Sequence, residues 1–150
     1  MTTVWKVLGL MGVLIVIAVA GGIGKEVGRF TVKKFNADRN EGAIEEVLRQ
    51  SSNKVNSSLP MMVDKGTRLD STLPGPGKKI TYLYTTLSMQ SSDVTQQRLQ
   101  QRLGVRIRNS VCTSKDMKVF LDNGVQIVYR YRGSDGGIIG DVTVNPGECK

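Results

Sequence analysis

The longest apolar stretch of the chain lies near its amino terminus. Residues 7–24 form a run of 18 residues without a charged or polar side chain. As an α-helix this run would be about 27 Å long at about 1.5 Å per residue, which just spans the hydrocarbon core of a bilayer. A helix buried in a soluble domain normally keeps a polar face, and this run has none. The pattern therefore predicts a membrane-spanning helix.

A cleaved signal peptide is the alternative interpretation of the same run. Lys6 precedes the run, and Ala18-Val19-Ala20 has the small-x-small pattern of a processing site. Basic residues after the run favour a cytoplasmic location for the carboxyl-terminal part of the chain. They are Lys25, Arg29, Lys33 and Lys34.

From residue 36 onward the pattern is that of a small globular domain. Apolar residues recur at helical spacing from Asp38 to Leu59, and Pro60 ends this predicted helix. Extended segments are then predicted, rich in β-branched and aromatic residues and separated by a proline and glycine turn. The extended segments cover residues 61–63, 67–69 and 80–87, and the turn covers residues 73–77.

Two helices and a hairpin are predicted for the second half of the chain. Asp93 is placed to cap a helix whose apolar line is Leu99, Leu103, Ile107 and Val111, and a shorter helix follows over residues 114–121. Alternation predicts strands over residues 125–132 and 138–144, joined by a glycine-rich reversal. Residues 1–35 are thus predicted to form the membrane anchor and its basic flank. Residues 36–150 are predicted to form an α+β domain with helices packed on one face of an antiparallel sheet.

Charge and composition narrow the possible functions. The net charge of +8 divides evenly between residues 1–35 and residues 36–150, which weakens the case for a nucleic-acid-binding domain. The chain has no His, which excludes His-based triads and His-ligated zinc. No cofactor or metal site is predicted.

The two cysteines give the main indication of compartment. Cys112 and Cys149 are an even pair in a small domain, as expected for one disulfide in an oxidising compartment. Two reduced thiols in the cytoplasm are the alternative, and the basic flank would then decide the orientation. We favour export.

Five sequence blocks in the domain form a recognisable set. They are LPMMVD at 59–64, TRLD at 67–70, YLY at 82–84, VCTSKDM at 111–117 and YRYRGSDG at 129–136. The set resembles small membrane-anchored bacterial envelope proteins of unassigned function. The resemblance extends over roughly residues 44–149 and implies an envelope location with one intradomain disulfide, but no active site. The predicted location is thus the bacterial inner membrane with a periplasmic carboxyl-terminal domain, or the periplasm after cleavage near Ala20.

Catalytic candidates are few and isolated. Ser51 and Lys54 have the spacing of a lysine-assisted serine nucleophile, yet the partner motifs of that chemistry are absent from the sequence. Asp64 and Asp70 are a possible carboxylate pair, but surface ion pairs and turn caps explain them as well. The sequence favours a noncatalytic role over an unrecognised hydrolase that uses Asp, Ser and Lys.

Arginines supply the candidate binding residues. Arg98, Arg102 and Arg106 form a helical stripe, and Arg130 and Arg132 alternate with tyrosines on a predicted strand. All four tyrosines lie in two such strand pairs, where they either fill the core, which the alternation favours, or form a stacking platform for single-stranded nucleic acid. The leading hypothesis is an anchored envelope protein whose domain binds a partner protein or an anionic surface through these arginines.

Overall fold

Five strands form one sheet whose spatial order follows the chain. A computed structural model describes residues 41–149. Neighbouring strands are antiparallel except for the central pair, β3 and β4, which is parallel. The strands are β1 (Met61–Met62), β2 (Thr67–Pro74), β3 (Lys79–Thr86), β4 (Gln126–Arg132) and β5 (Ile138–Val144).

The prediction of an antiparallel sheet is wrong at its centre. β3 and β4 pair in parallel from Lys79 opposite Gln126 to Thr85 opposite Arg132. The long helical connection between them returns the chain to the end of the sheet where β3 began, as a parallel pair requires. The predicted hairpin of β4 and β5 is confirmed.

Four helices and two irregular turns complete the described chain. The helices are α1 (Glu41–Asn56), α2 (Gln96–Leu99), α3 (Val105–Thr113) and α4 (Lys115–Asp122). A π-helical turn, Gln100–Gly104, joins α2 to α3, and a 3-10 turn, Ser91–Asp93, precedes them. No helix within residues 41–149 has the length and apolar character needed to cross a membrane. The predicted spanning run, residues 7–24, lies outside this range.

Two local predictions are wrong. Asp93 does not cap α2, because its carboxylate accepts from the backbone of Gln90 in the 3-10 turn, and the cap is the Thr95 hydroxyl. β2 continues through Pro74, whereas the sequence predicts a turn over residues 73–77. Proline is tolerated there because its missing N–H lies on the outer edge of the sheet, where no strand pairs with it.

The helices pack on one face of the sheet, as predicted. Each helix contributes buried apolar side chains to a single core that includes Tyr84, Tyr129 and Tyr131. The tyrosine rings stack across β3 and β4, with centroids 5.4 Å apart for Tyr82 and Tyr129 and 5.2 Å apart for Tyr84 and Tyr131. Because this face is covered, the tyrosines are core residues and do not form an exposed stacking platform.

The edge of β2 that the two-residue strand β1 leaves uncovered is closed by a side chain of α1. The Asn56 carboxamide donates to the Thr72 carbonyl at 2.9 Å and accepts from the Thr72 N–H at 2.7 Å, as a neighbouring strand would. The Ser52 hydroxyl, which is fully buried, bonds the Thr72 carbonyl and hydroxyl at 2.9 and 2.7 Å. These polar groups are therefore satisfied inside the protein.

The opposite outer strand is closed in the same way. The Gln96 carboxamide donates to the Asp141 carbonyl and accepts from the Asp141 N–H, both at 2.8 Å. Gln100 donates a further hydrogen bond of 2.7 Å to the same carbonyl. A Cβ atom on Gly140 would overlap the Gln96 carboxamide, so this close approach requires glycine.

The predicted disulfide between Cys112 and Cys149 is confirmed. Their Cα atoms are 5.2 Å apart, and the bond fastens the segment after β5 to α3. An ion pair between Arg108 and Glu148, with an N–O distance of 2.8 Å, supports the same junction.

We expect replacement of both cysteines by serine to lower the free energy of unfolding by about 4 kcal/mol, because the bond constrains a long loop in the unfolded chain. The bond links residues 37 positions apart. Urea unfolding of oxidised wild type, reduced wild type and the double variant measures this. Reduced wild type should match the variant, and a loss below about 1 kcal/mol would contradict the structural role.

Candidate functional site

The sheet face opposite the helices carries the candidate site, and we call it the open sheet face. Side chains alternate between the two faces of a strand, so this face carries the residues that lie between the core positions. No helix within residues 41–149 contributes its buried side chains to it. One row of register partners crosses all five strands and consists of Met62, Arg68, Thr85, Arg132 and Ile138.

A β-bulge in β2 arranges the acidic part of this face. The register shifts between Leu69 and Ser71, so that Leu69 and Thr72 both point towards the helices. The bulged residue, Asp70, accepts hydrogen bonds from the Arg68 guanidinium and the Thr85 hydroxyl, each at 2.5 Å. The Asp70 carboxylate is therefore occupied by its own neighbours.

The two arginines predicted on β4 have different partners. Arg130 makes a two-point pair with Asp141 of β5, with distances of 2.8 and 2.7 Å, and this hydrogen bonding raises the pKa of Arg130. Arg132 has no acidic partner within residues 41–149, and its Nε atom is buried without a hydrogen bond. Arg132 is thus the better placed of the two to meet an anionic group.

Exposed apolar side chains concentrate around the periphery of this same face, whereas Leu83 (5% exposed) and Val128 (6%) at its centre are buried. Val105 on α3, exposed by 60%, is the one large exposed apolar residue of the described chain that lies elsewhere. The remaining four lie on the open sheet face or at its rim. They are Met62 (47% exposed), Leu73 (49%), Leu87 (44%) and Ile138 (61%). Such a concentration is typical of a protein-binding surface.

The arginines predicted on the helix form a separate group. Arg98 lies in α2, Arg102 in the π turn and Arg106 in α3, and all three are exposed. We call them the arginine row. The structure therefore divides the five predicted binding residues between the outer side of the helices and the open sheet face.

The residues considered for hydrolase chemistry are not brought together. Ser51 is buried, whereas Lys54 is exposed one turn further along α1. Asp64 accepts a hydrogen bond from the Gly66 N–H at 2.7 Å, and Asp70 bonds Arg68 and Thr85. Within residues 41–149 no three Cys, Asp or Glu side chains converge on a possible metal position.

The glycine-rich reversal between β4 and β5 is bonded to the 3-10 turn through Asp135 and Ser91, and we call this contact the clamp. The sequence did not reveal this role. The Asp135 carboxylate accepts hydrogen bonds from the Ser91 hydroxyl at 2.7 Å and the Ser91 N–H at 3.0 Å, which lower the pKa of Asp135. A Cβ atom on Gly133 or Gly137 would overlap Ser91. The clamp fixes the start of β5 and hence the position of Ile138.

A known family accounts for most of the described chain. Residues 42–138 match the family described as Domain of unknown function (DUF8479). The chain belongs to this family. No curated protein matches the sequence.

Three solved structures share the fold of this DUF8479 protein. A Pseudomonas aeruginosa protein classed as secreted is 11% identical with a TM-score of 0.61, covering 73% of this chain and 96% of its own. The Vibrio vulnificus type 2 secretion system pilotin EpsS is 16% identical with a TM-score of 0.59, covering 73% and 94%. The Vibrio cholerae type II secretion system pilotin AspS is 16% identical with a TM-score of 0.56, covering 77% and 99%. At these identities the likeness shows a common fold.

The buried tyrosines predict how this DUF8479 domain responds to alkali. Burial raises the pKa of Tyr82 to about 12 and the pKa values of Tyr84, Tyr129 and Tyr131 well above the ordinary value of 10.0. The tyrosine hydroxyls ionise at lower pH in the unfolded chain than in the folded one. Their contribution to the free energy of unfolding is therefore fully present below about pH 10 and is lost as the pH rises towards the raised pKa values of the folded state.

We expect phenolate absorbance to appear together with loss of circular dichroism in a single transition above about pH 10. The protein has four tyrosines, all of them in this stack, so the absorbance reports on the core alone. Phenolate formation near pH 10 with an intact dichroism spectrum would show that the stack is open to solvent.

Proposed function

We propose that this chain is a noncatalytic envelope protein whose domain binds a partner protein through the open sheet face. The observation that carries the proposal is that Met62, Leu73, Leu87 and Ile138 are exposed on, or at the rim of, a face to which no described helix contributes buried side chains. Ile138 lies directly opposite Arg132 on the neighbouring strand. The shared fold with two type II secretion system pilotins supports a role without catalysis. Fold alone does not identify the partner.

The chemistry of the open sheet face selects an apolar and acidic partner segment. Lys79, Arg68, Arg130 and Arg132 outnumber the acidic residues of this face, Asp70 and Asp141, so its net charge is positive. A second copy would oppose like charge to like charge. Residues 25–40 of the same chain hold five basic and two acidic residues, so this segment would also place positive charge against the positive open sheet face. Neither a second copy nor this segment therefore matches the charge of the face.

The proposed location is the one that the sequence predicts. Residues 7–24 anchor the chain as a single span in a bacterial inner membrane, and residues 36–150 lie in the periplasm. The disulfide between Cys112 and Cys149 supports this orientation, because such bonds persist in oxidising compartments. Release into the periplasm by cleavage near Ala20 would leave the binding proposal unchanged.

Photo-crosslinking from the full chain in native membranes tests the binding proposal. A crosslinking side chain at Ile138 should give one discrete protein adduct, whereas the equally exposed control position Val105 should not. Arg132→Glu should lower the yield of the Ile138 adduct at least about tenfold, because the new carboxylate repels the acidic residues of the partner. Lys65→Glu, in an exposed turn outside this face, should leave the adduct intact.

Mass spectrometry of the adduct decides the chemistry of the partner. The crosslinked peptide should combine apolar residues with Asp or Glu. A peptide from a second copy of this chain, a basic peptide, or adducts of equal yield from Val105 would each overturn the proposal.

A further inference from the structure

The arginine row lies in a stretch of chain without acidic residues. From Val94 to Lys115 the sequence contains no Asp or Glu. Arg98 and Arg106 have no acidic partner within residues 41–149, whereas Arg108 on the same helix is paired with Glu148. Arg98 and Arg106 therefore carry positive charge that the described domain leaves uncompensated.

The π turn aligns the three arginines. In a continuous α-helix, residues spaced by four drift around the axis by about 40° per step, because a turn takes about 3.6 residues. A π turn takes about one residue more, so one α turn and one π turn together take about eight residues. Arg98, Arg102 and Arg106 consequently lie along one line parallel to the helix axis.

The sheet holds the π turn in place. The Gln100 side chain, at the start of the turn, donates to the Asp141 carbonyl of β5 at 2.7 Å. Gly104, at the end of the turn, is buried, and a Cβ atom there would lie 2.8 Å from the Gln100 carboxamide oxygen. The alignment of the row is thus built into the packing of the helix on the edge strand.

The row forms a ridge that also carries an apolar residue. Val105, 60% exposed, follows the π turn and lies next to Arg106. A straight ridge of arginines with an exposed apolar side chain matches a flat surface that is anionic outside and apolar beneath, such as a bilayer rich in anionic lipids.

We infer that the arginine row binds the anionic headgroups of the membrane to which the chain is anchored, with Val105 at the level of the headgroups. This inference rests on the proposed anchoring, because the anchor keeps the domain beside the bilayer. It is independent of the partner proposed for the open sheet face.

Tryptophan fluorescence of the full chain in vesicles tests this inference. Trp5 is the single tryptophan of the protein, so Trp5→Phe combined with Val105→Trp reports on the ridge alone. Vesicles of phosphatidylcholine mixed with phosphatidylglycerol, with brominated acyl chains, should quench this tryptophan. Vesicles of brominated phosphatidylcholine alone should not. A matched tryptophan at Ile138 should stay unquenched in both.

Charge removal provides the decisive comparison. Arg98→Gln with Arg106→Gln should lower the ratio of docked to undocked domain about 30-fold, since each basic residue near an anionic surface contributes about fivefold. The control pair Lys65→Gln with Lys78→Gln removes equal charge elsewhere and should leave the ratio unchanged.

Three results would overturn the inference. They are quenching that does not depend on phosphatidylglycerol, quenching that survives loss of the two arginines, and quenching that appears only when an acidic protein is added. Failure of the Ile138 crosslink would leave the vesicle results unchanged, so the two proposals fail separately.

Discussion

The pairing of side-chain carboxamides with backbone groups at the two open edges of the sheet is the interaction on which the rest of the structure depends. Asn56 on one side and Gln96 on the other each replace one residue of a missing neighbouring strand. An unpaired edge invites another chain to add to the sheet. These pairs satisfy the edge groups at Thr72 and Asp141 and fix the position of the helices at the same time.

Asp141 connects the two candidate surfaces. Its backbone holds Gln96 and Gln100, which position α2 and the π turn, and its carboxylate holds Arg130 on the open sheet face. The arginine row and the open sheet face are therefore fixed relative to each other through one residue of β5. One face of the described sheet is covered by helices and both edges are paired at these points, whereas no described helix adds its buried side chains to the open sheet face.

Local and periodic features of the fold could be predicted from the sequence. The alternation around Tyr129 and Tyr131 predicted β4, the helical spacing around Val47 and Leu48 predicted α1, and the cysteine count predicted the disulfide. Each of these signals depends on residues that are close in sequence or on a simple count. The glycine-rich reversal likewise predicted the hairpin.

Features that depend on distant partners could not be predicted. The parallel pairing of β3 and β4 depends on the route of the connection, which leaves no periodic signal in either strand. Gln96 and Asn56 resemble any polar surface residue until their backbone partners are known. Arg130 and Arg132 look equivalent in the sequence, yet Asp141 lies opposite Arg130 and pairs with it.

Native-state hydrogen exchange at the Thr72 and Asp141 amides tests the central claim most directly. Both amides lie on the outer edges of the sheet, yet we expect them to exchange as slowly as amides of the central strands, because each donates to a carboxamide. Gln96→Ala should speed exchange at Asp141 and leave Thr72 unchanged, and Asn56→Ala should do the reverse. Rapid exchange of either amide in the wild-type protein, or no response to these substitutions, would contradict closure of the edges.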